Sequence, residues 1–174
     1  MTPFCFEHVF RASSTSAVFA AYFDAAHQVE QDRAIAIVER EVLELDDRDG
    51  VLRRTCRVVP RRQLPALVKP LIPGGLDYIE TSCWERRSDS LSIEIRPSML
   101  HGRVHIAGTY RLSHVGTDTI QRRYAGEVSV DIAWIAARIE RGIVAELART
   151  LPVAANCTQQ WLDRHPPRSV TARA

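Results

Sequence analysis

Few residues in this chain have both the type and the spacing to do chemistry. His8 falls in step with Phe4, Phe6 and Phe10. A period of two places all four on one face of a strand. A neutral imidazole among apolar rings orients a ligand or passes a proton; the plainer reading is a core histidine bonded to a neighbour. Arg122 alternates with Ile120 and Tyr124, where a guanidinium neutralises a ligand carboxylate. A one-residue slip in that alternation would leave it in solvent instead. His101 and His105 are four apart, a spacing that on a helix aims two metal ligands the same way. Gly102, Val104 and Ile106 mark loop and strand there, and no acidic or cysteine third ligand is near. No metal or cofactor is therefore expected. No nucleophile, base and orienting group stand in a recognisable pattern, so no catalytic residue is assigned.

The 174 residues are 45% hydrophobic and 25% charged, with a formal net charge of +2. This is the balance of one globular domain with an ordinary core, and it argues against a dedicated nucleic-acid binder. All but Lys69 of the 23 basic residues are arginine. From Arg48 to Arg62 six arginines face one aspartate, a run that suits transient contact with an anionic membrane surface. Pairing with Glu39, Glu41, Glu44, Asp46 and Asp47 across a hairpin would equally account for it. Cys5, Cys56, Cys83 and Cys157 form no C-x-x-C pattern and read as reduced thiols. The start of the chain lacks a basic segment followed by an apolar run, and the longest apolar run is seven residues, Ala17 to Phe23. The expected location is the cytoplasm.

These candidates need elements to hold them. An opening strand through Arg11 is followed by Ser13 and Ser14 as helix caps, a helix carrying Val18, Phe19, Tyr22 and Phe23, and a second short helix from Asp24 to about Gln31. Ala34–Leu45 reads as a strand, Asp46–Gly50 as a turn and Val51–Val59 as the returning strand. Leu64, Leu67, Val68, Leu71 and Ile72 make an apolar stripe among prolines, either a lid or a plug. Strands are expected at 78–86, 90–96, 103–113 and 119–130. Ile132, Ile135, Ile139, Ile143, Leu147 and Leu151 then form one helical stripe, with Asp131 as its cap and a kink at Pro152. Residues 165–174 read as a flexible tail after a single domain over 1–164. The order predicts an α+β fold: about six or seven antiparallel strands curved around a long C-terminal helix, with two short helices after strand 1.

Ordered motifs carry a family likeness: Arg11-Ala12-Ser13, Leu64-Pro65-Ala66, Glu80-Thr81-Ser82-Cys83-Trp84, Gly108-Thr109-Tyr110-Arg111-Leu112, Gly126-Glu127-Val128 and Trp161-Leu162. In this order the chain resembles the START-like, helix-grip superfamily of the birch-pollen allergen and the polyketide cyclases. Within it the chain is most similar to a bacterial family of uncharacterised function. The likeness implies a hydrophobic ligand, a lipid or polyketide-like molecule, held between sheet and helix. Phe6, His8, Trp84, Ile93, Ile106, Tyr110, Arg122, Tyr124, Ile135, Ile139, Gly142 and Ile143 are the expected lining. The opposite expectation is that Phe4, Phe6, Trp84, Tyr110 and Tyr124 fill that space. A binding protein is the leading reading. A cyclase-like or hydrolytic enzyme using the same cavity is one alternative, and an interaction module using the arginine-rich surface is the other.

Overall fold

The structure is a computed structural model and describes residues 1–61, 76–98 and 102–166. The Leu64–Ile72 stripe, His101 and most of the expected tail lie outside the described residues. Strand β1 (Thr2–Arg11) leads to helices α1 (Thr15–Phe23) and α2 (Ala25–Ala34). Strands β2 (Ile37–Arg48), β3 (Val51–Pro60), β4 (Tyr78–Glu85), β5 (Ser90–Pro97), β6 (Val104–Gly116) and β7 (Thr119–Val130) follow, and α3 (Ala136–Arg164) ends the fold. The seven strands make one antiparallel sheet in the order β1-β7-β6-β5-β4-β3-β2. β1 and β2 are its two edges, so it is not closed. This is the expected α+β helix-grip arrangement.

Local chemistry sets the boundaries. The Ser14 hydroxyl accepts from the Ala17 N–H at 3.2 Å and starts α1. The Asp24 carboxylate accepts from the N–H groups of Ala26 and His27, both at 2.9 Å, and starts α2. α2 runs through Ala34, so β2 begins three residues later than its Ile and Val content suggests. Asp49 and Gly50 have φ of 53° and 80°, the left-handed pair that a two-residue hairpin loop requires. The acidic run before them therefore belongs to β2 and not to the turn.

One expectation for α3 is corrected. Asp131 does not cap it: the chain turns at residues 132–135, and Ile135 precedes the helix without a side-chain cap. Helix also continues through Pro152. Pro152 is exposed, so water can satisfy the carbonyl one turn earlier that loses its donor.

α3 is pinned along β1. Near its start, Glu140 accepts from the Val130 N–H at 3.0 Å and the Thr2 hydroxyl at 2.7 Å. Near its end, the Gln159 side chain accepts from the Arg11 N–H at 2.8 Å and donates to the Arg11 carbonyl at 3.3 Å. The main core joins Phe4, Phe10, Phe19, Trp84, Leu91, Ile106, Tyr124 and Leu151 between sheet and helices. Ile135 and Ile139 pack separately with Val104 and Val130.

Gly108 and Gly126 lie opposite each other on β6 and β7, on the face turned to α3. A Cβ on Gly126 would collide with the Ala107 carbonyl oxygen and come within 2.8 Å of the Phe4 ring. A Cβ on Gly108 would come within 2.5 Å of the Tyr124 ring. The paired glycines thus let two aromatic rings lie close to the backbone. Gly126→Ala is expected to destabilise the fold by about 1–3 kcal/mol, measured as a lower urea midpoint.

Candidate functional site

Alternation along β1, β6 and β7 brings His8, Tyr110, Arg122 and Tyr124 to one region of the helix-facing sheet. Register aligns His8 with Arg122, and Phe6 with Tyr124; Tyr110 stands opposite Tyr124. Arg122 is 7% exposed, so no slip in alternation places it in solvent. Its guanidinium lies over the rings of Phe10 at 5.1 Å and Tyr110 at 4.8 Å. Its Nη2 is 3.1 Å from Nδ1 of His8. A guanidinium only donates, so His8 accepts at Nδ1 and carries its proton at Nε2. Burial, and secondarily the Arg122 charge, lower the His8 pKa to about 4. Burial also lowers that of Arg122.

Arg122 has no carboxylate partner among the described residues, and its Nε has no hydrogen-bond acceptor. The remaining segments, 62–75, 99–101 and 167–174, contain no Asp or Glu. Desolvating a guanidinium costs several kcal/mol. Two ring faces return about 2 kcal/mol or more each where water is excluded, and a hydrogen bond from a charged donor about 1.5–3 kcal/mol. The site thus holds a positive charge met by rings and a neutral acceptor, and by no opposite charge among the described residues.

The rings continue across the sheet. Tyr110 stacks on Tyr124 with centroids 4.1 Å apart, and Tyr22 of α1 lies 6.2 Å from Tyr110. The Tyr22 hydroxyl is 3.4 Å from Glu80 and 3.3 Å from the Ser82 hydroxyl. Burial, with Glu80 adding to it, pushes the Tyr22 pKa well up. Arg40 donates to both Asp32 and Glu80 at 3.0 Å. Burial opposes the Arg40 charge, but the two carboxylates outweigh it and hold the proton more firmly. Arg54 lies over Tyr22 and Phe23 and donates to Gln28 at 3.0 Å. The sequence reading missed Tyr22, Arg40, Arg54, Glu80 and Ser82. Glu80 and Ser82 share the alternation that ends in Trp84, so a polar pair on an apolar face was their available signal.

The other expected lining residues scatter. Trp84 packs under α1, with ring centroids 5.4 Å from Phe19 and 5.9 Å from Phe23. Ile93 and Ile106 lie buried in the main core. Ile135 and Ile139 belong to the smaller cluster, and Ile143 touches both. Gly142 is exposed, and a Cβ there would meet nothing within 4 Å. His105 bonds Glu94 at 2.7 Å, and no group of three metal-ligating side chains occurs among the described residues. Of the arginine-rich run, Arg48 pairs with Asp46, Arg57 with Asp77 and Glu39, and Arg54 is buried. An open depression of about 660 Å³ lies on the opposite face of the sheet, among Thr81, Cys83, Ser92, Thr109, Ala125 and Glu127. These side chains point away from α3, so that hollow is separate from the Arg122 region. Among the described residues, no helix is long and apolar enough to cross a membrane.

A seven-stranded antiparallel sheet gripping a C-terminal helix is the START-superfamily fold, and solved structures bear this out. A START-superfamily protein from Mycobacterium smegmatis has a TM-score of 0.60 at 11% identity, over 94% of this chain and 99% of that one. An aromatase/cyclase from a Streptomyces species has 0.62 at 13% identity, over 93% of each chain. Norcoclaurine synthase from Thalictrum flavum, in complex with dopamine and hydroxybenzaldehyde, has 0.64 at 14% identity, over 94% of this chain and 87% of that one. At these identities the likeness concerns the fold alone. The chain belongs to the family described as protein of unknown function (DUF2505), which matches residues 6–162. No curated protein matches it.

The His8–Arg122 pair has a pH signature. Because the folded His8 pKa lies near 4 and the ordinary value is 6.5, the unfolded chain binds more protons between them. That part of the stability is complete above pH 6.5 and is lost as pH falls towards 4. An NMR titration should find His8 protonating near pH 4. In Arg122→Met the value should move up but stay below 6.5, since burial is the larger cause.

Proposed function

We propose that this protein binds a small hydrophobic or amphipathic molecule, lipid or polyketide-like, between the sheet and α3. Incomplete burial carries this reading. Phe6, His8, Ile95, Ile143, Val144 and Leu147 all belong to the facing surfaces of sheet and helix, yet they are only half-buried. Apolar surface left in water on an inward face forgoes about 25 cal/mol per Å². A guest seated there recovers it. The bound dopamine and hydroxybenzaldehyde of the norcoclaurine synthase structure are in keeping with a fold that takes up small organic molecules.

Binding is favoured over catalysis because the titratable groups are already engaged. His8 gives its Nδ1 lone pair to Arg122, and Glu80 is tied to Arg40 and Tyr22. Neither pair leaves a base and its orienting partner facing open space.

Phenylnaphthylamine, a neutral dye that brightens on leaving water, tests the reading. The protein should give saturable enhancement with one dye per chain. Ile143→Trp should weaken binding about tenfold or more by filling the space, with unchanged far-ultraviolet circular dichroism. Absence of saturable enhancement, together with no uptake of fatty acid or aromatic ligands by native mass spectrometry, would refute it.

A further inference from the structure

We propose that the guest is a monoanion, and that Arg122 is the residue that receives its carboxylate-type group. The inference rests on the binding site proposed above and adds the charge of its ligand.

Three guanidiniums, those of Arg40, Arg54 and Arg122, stand along the tyrosine cluster on the inner side of the sheet. Among the described residues only two carboxylates, those of Asp32 and Glu80, stand with them. Both acids are committed to Arg40, at 3.0 Å each. Arg54 is buried but has amide and carbonyl acceptors, Gln28 Oε1 at 3.0 Å and the Tyr22 carbonyl at 3.4 Å. Among the described residues Arg122 has only the imidazole of His8. One positive charge is therefore in excess among the described residues; Arg54 and Arg122 both lack a carboxylate and both have an unpartnered Nε, and Arg122 has the fewer acceptors.

The groups beside that guanidinium are not fully covered. His8, its only hydrogen-bond partner among the described residues, is half-buried. Phe6, two residues away on β1, is half-buried as well, and Tyr110 and Tyr124 lie alongside. An apolar body would lie against these rings, with its anionic end on the free donors of Arg122. A guanidinium presents its donors as a planar fork that fits two oxygens of one carboxylate. Such a pair, formed away from water, is among the stronger hydrogen-bonded contacts. The excess is a single charge, so a dianion such as a phosphate monoester would bring one negative charge without a counterpart.

Displacement of phenylnaphthylamine by matched competitors tests this. Each pair, naphthoate with naphthamide and decanoate with decanamide, differs in charge but hardly in shape. In at least one pair the acid should displace the dye about tenfold more effectively than its amide. The preference should persist in high salt, because a buried pair is little screened. In Arg122→Met the preference, read as the ratio of acid to amide affinity, should vanish, and in Arg122→Lys it should shrink. In the unaltered protein, the imidazole nitrogen signals of His8 should shift on adding the preferred acid and not its amide, a readout that needs no variant.

If the dye binds and both acids compete no better than their amides, the monoanion assignment is wrong and the binding reading stands. A preference that survives Arg122→Met, or that disappears in high salt, places the anion elsewhere and also overturns it. If neither the dye nor any competitor binds, the binding reading itself fails.

Discussion

One geometric constraint governs this molecule: a single helix must cover a sheet of seven strands. Strands about 4.8 Å apart make such a sheet close to 30 Å across, whereas a helix with its side chains is about 10–12 Å wide. α3 lies against β1 and β7, and α1 and α2 pack beside it. Residues far from the helix line have to be covered by curvature, by the short helices or by something else. Burial follows this division. Phe10 and Ile120, on the strands that α3 covers, are 0% exposed, while Val42, Leu43 and Leu45 on the far edge strand β2 are more than half exposed. The half-buried residues Phe6, Ile95, Ile143, Val144 and Leu147 fall between these extremes.

Polar groups divide the same way. Arg40 ties β2 to α2 through Asp32 and to β4 through Glu80, and so fastens the part of the sheet that the long helix does not reach. Removing one partner of such a buried network leaves an uncompensated charge, at a cost of about 3–5 kcal/mol. The network is structural because each charged group in it touches one of opposite sign. Arg122, under the covered part of the sheet, is similarly buried and has no answering carboxylate among the described residues. Arg40 is thus held by opposite charges, whereas Arg54 and Arg122 are held by aromatic rings and neutral acceptors.

The sequence made the architecture legible because both periods were strong. Alternation in Leu91, Ile93 and Ile95 and the isoleucine stripe of α3 needed no tertiary context. Boundaries were less legible where a polar run served two purposes, as at Asp46–Arg48, which extends β2. The inward direction of Arg122 was readable from Ile120 and Tyr124. Its lack of a counterion was not, since that depends on which face each of 21 acidic residues takes. Gly142 shows the limit on the helix. It adjoins Ile143 in sequence, but each residue turns about 100° around the axis, enough to carry it from the half-buried stripe to solvent. Trp84 was assigned to the right face of the sheet, but its cover is α1, and sequence spacing does not say which helix lies over a given strand.

The identity of the residue at position 8 decides what Arg122 can do. A carboxylate there, aligned with Arg122 across β1 and β7, would fix the guanidinium and cancel its charge in the same contact. A leucine would leave the charge intact but the fork unoriented. Neutral histidine does one without the other: its Nδ1 accepts from Nη2 at 3.1 Å while contributing no negative charge. The low His8 pKa is part of this arrangement, because a protonated imidazole could not accept from Arg122 and would add a second positive charge beside it. Near neutral pH the pair therefore presents one oriented, uncancelled guanidinium beneath the rings of Phe10 and Tyr110. That combination stabilises the empty fold less than an ion pair would, and it leaves the guanidinium's charge uncancelled.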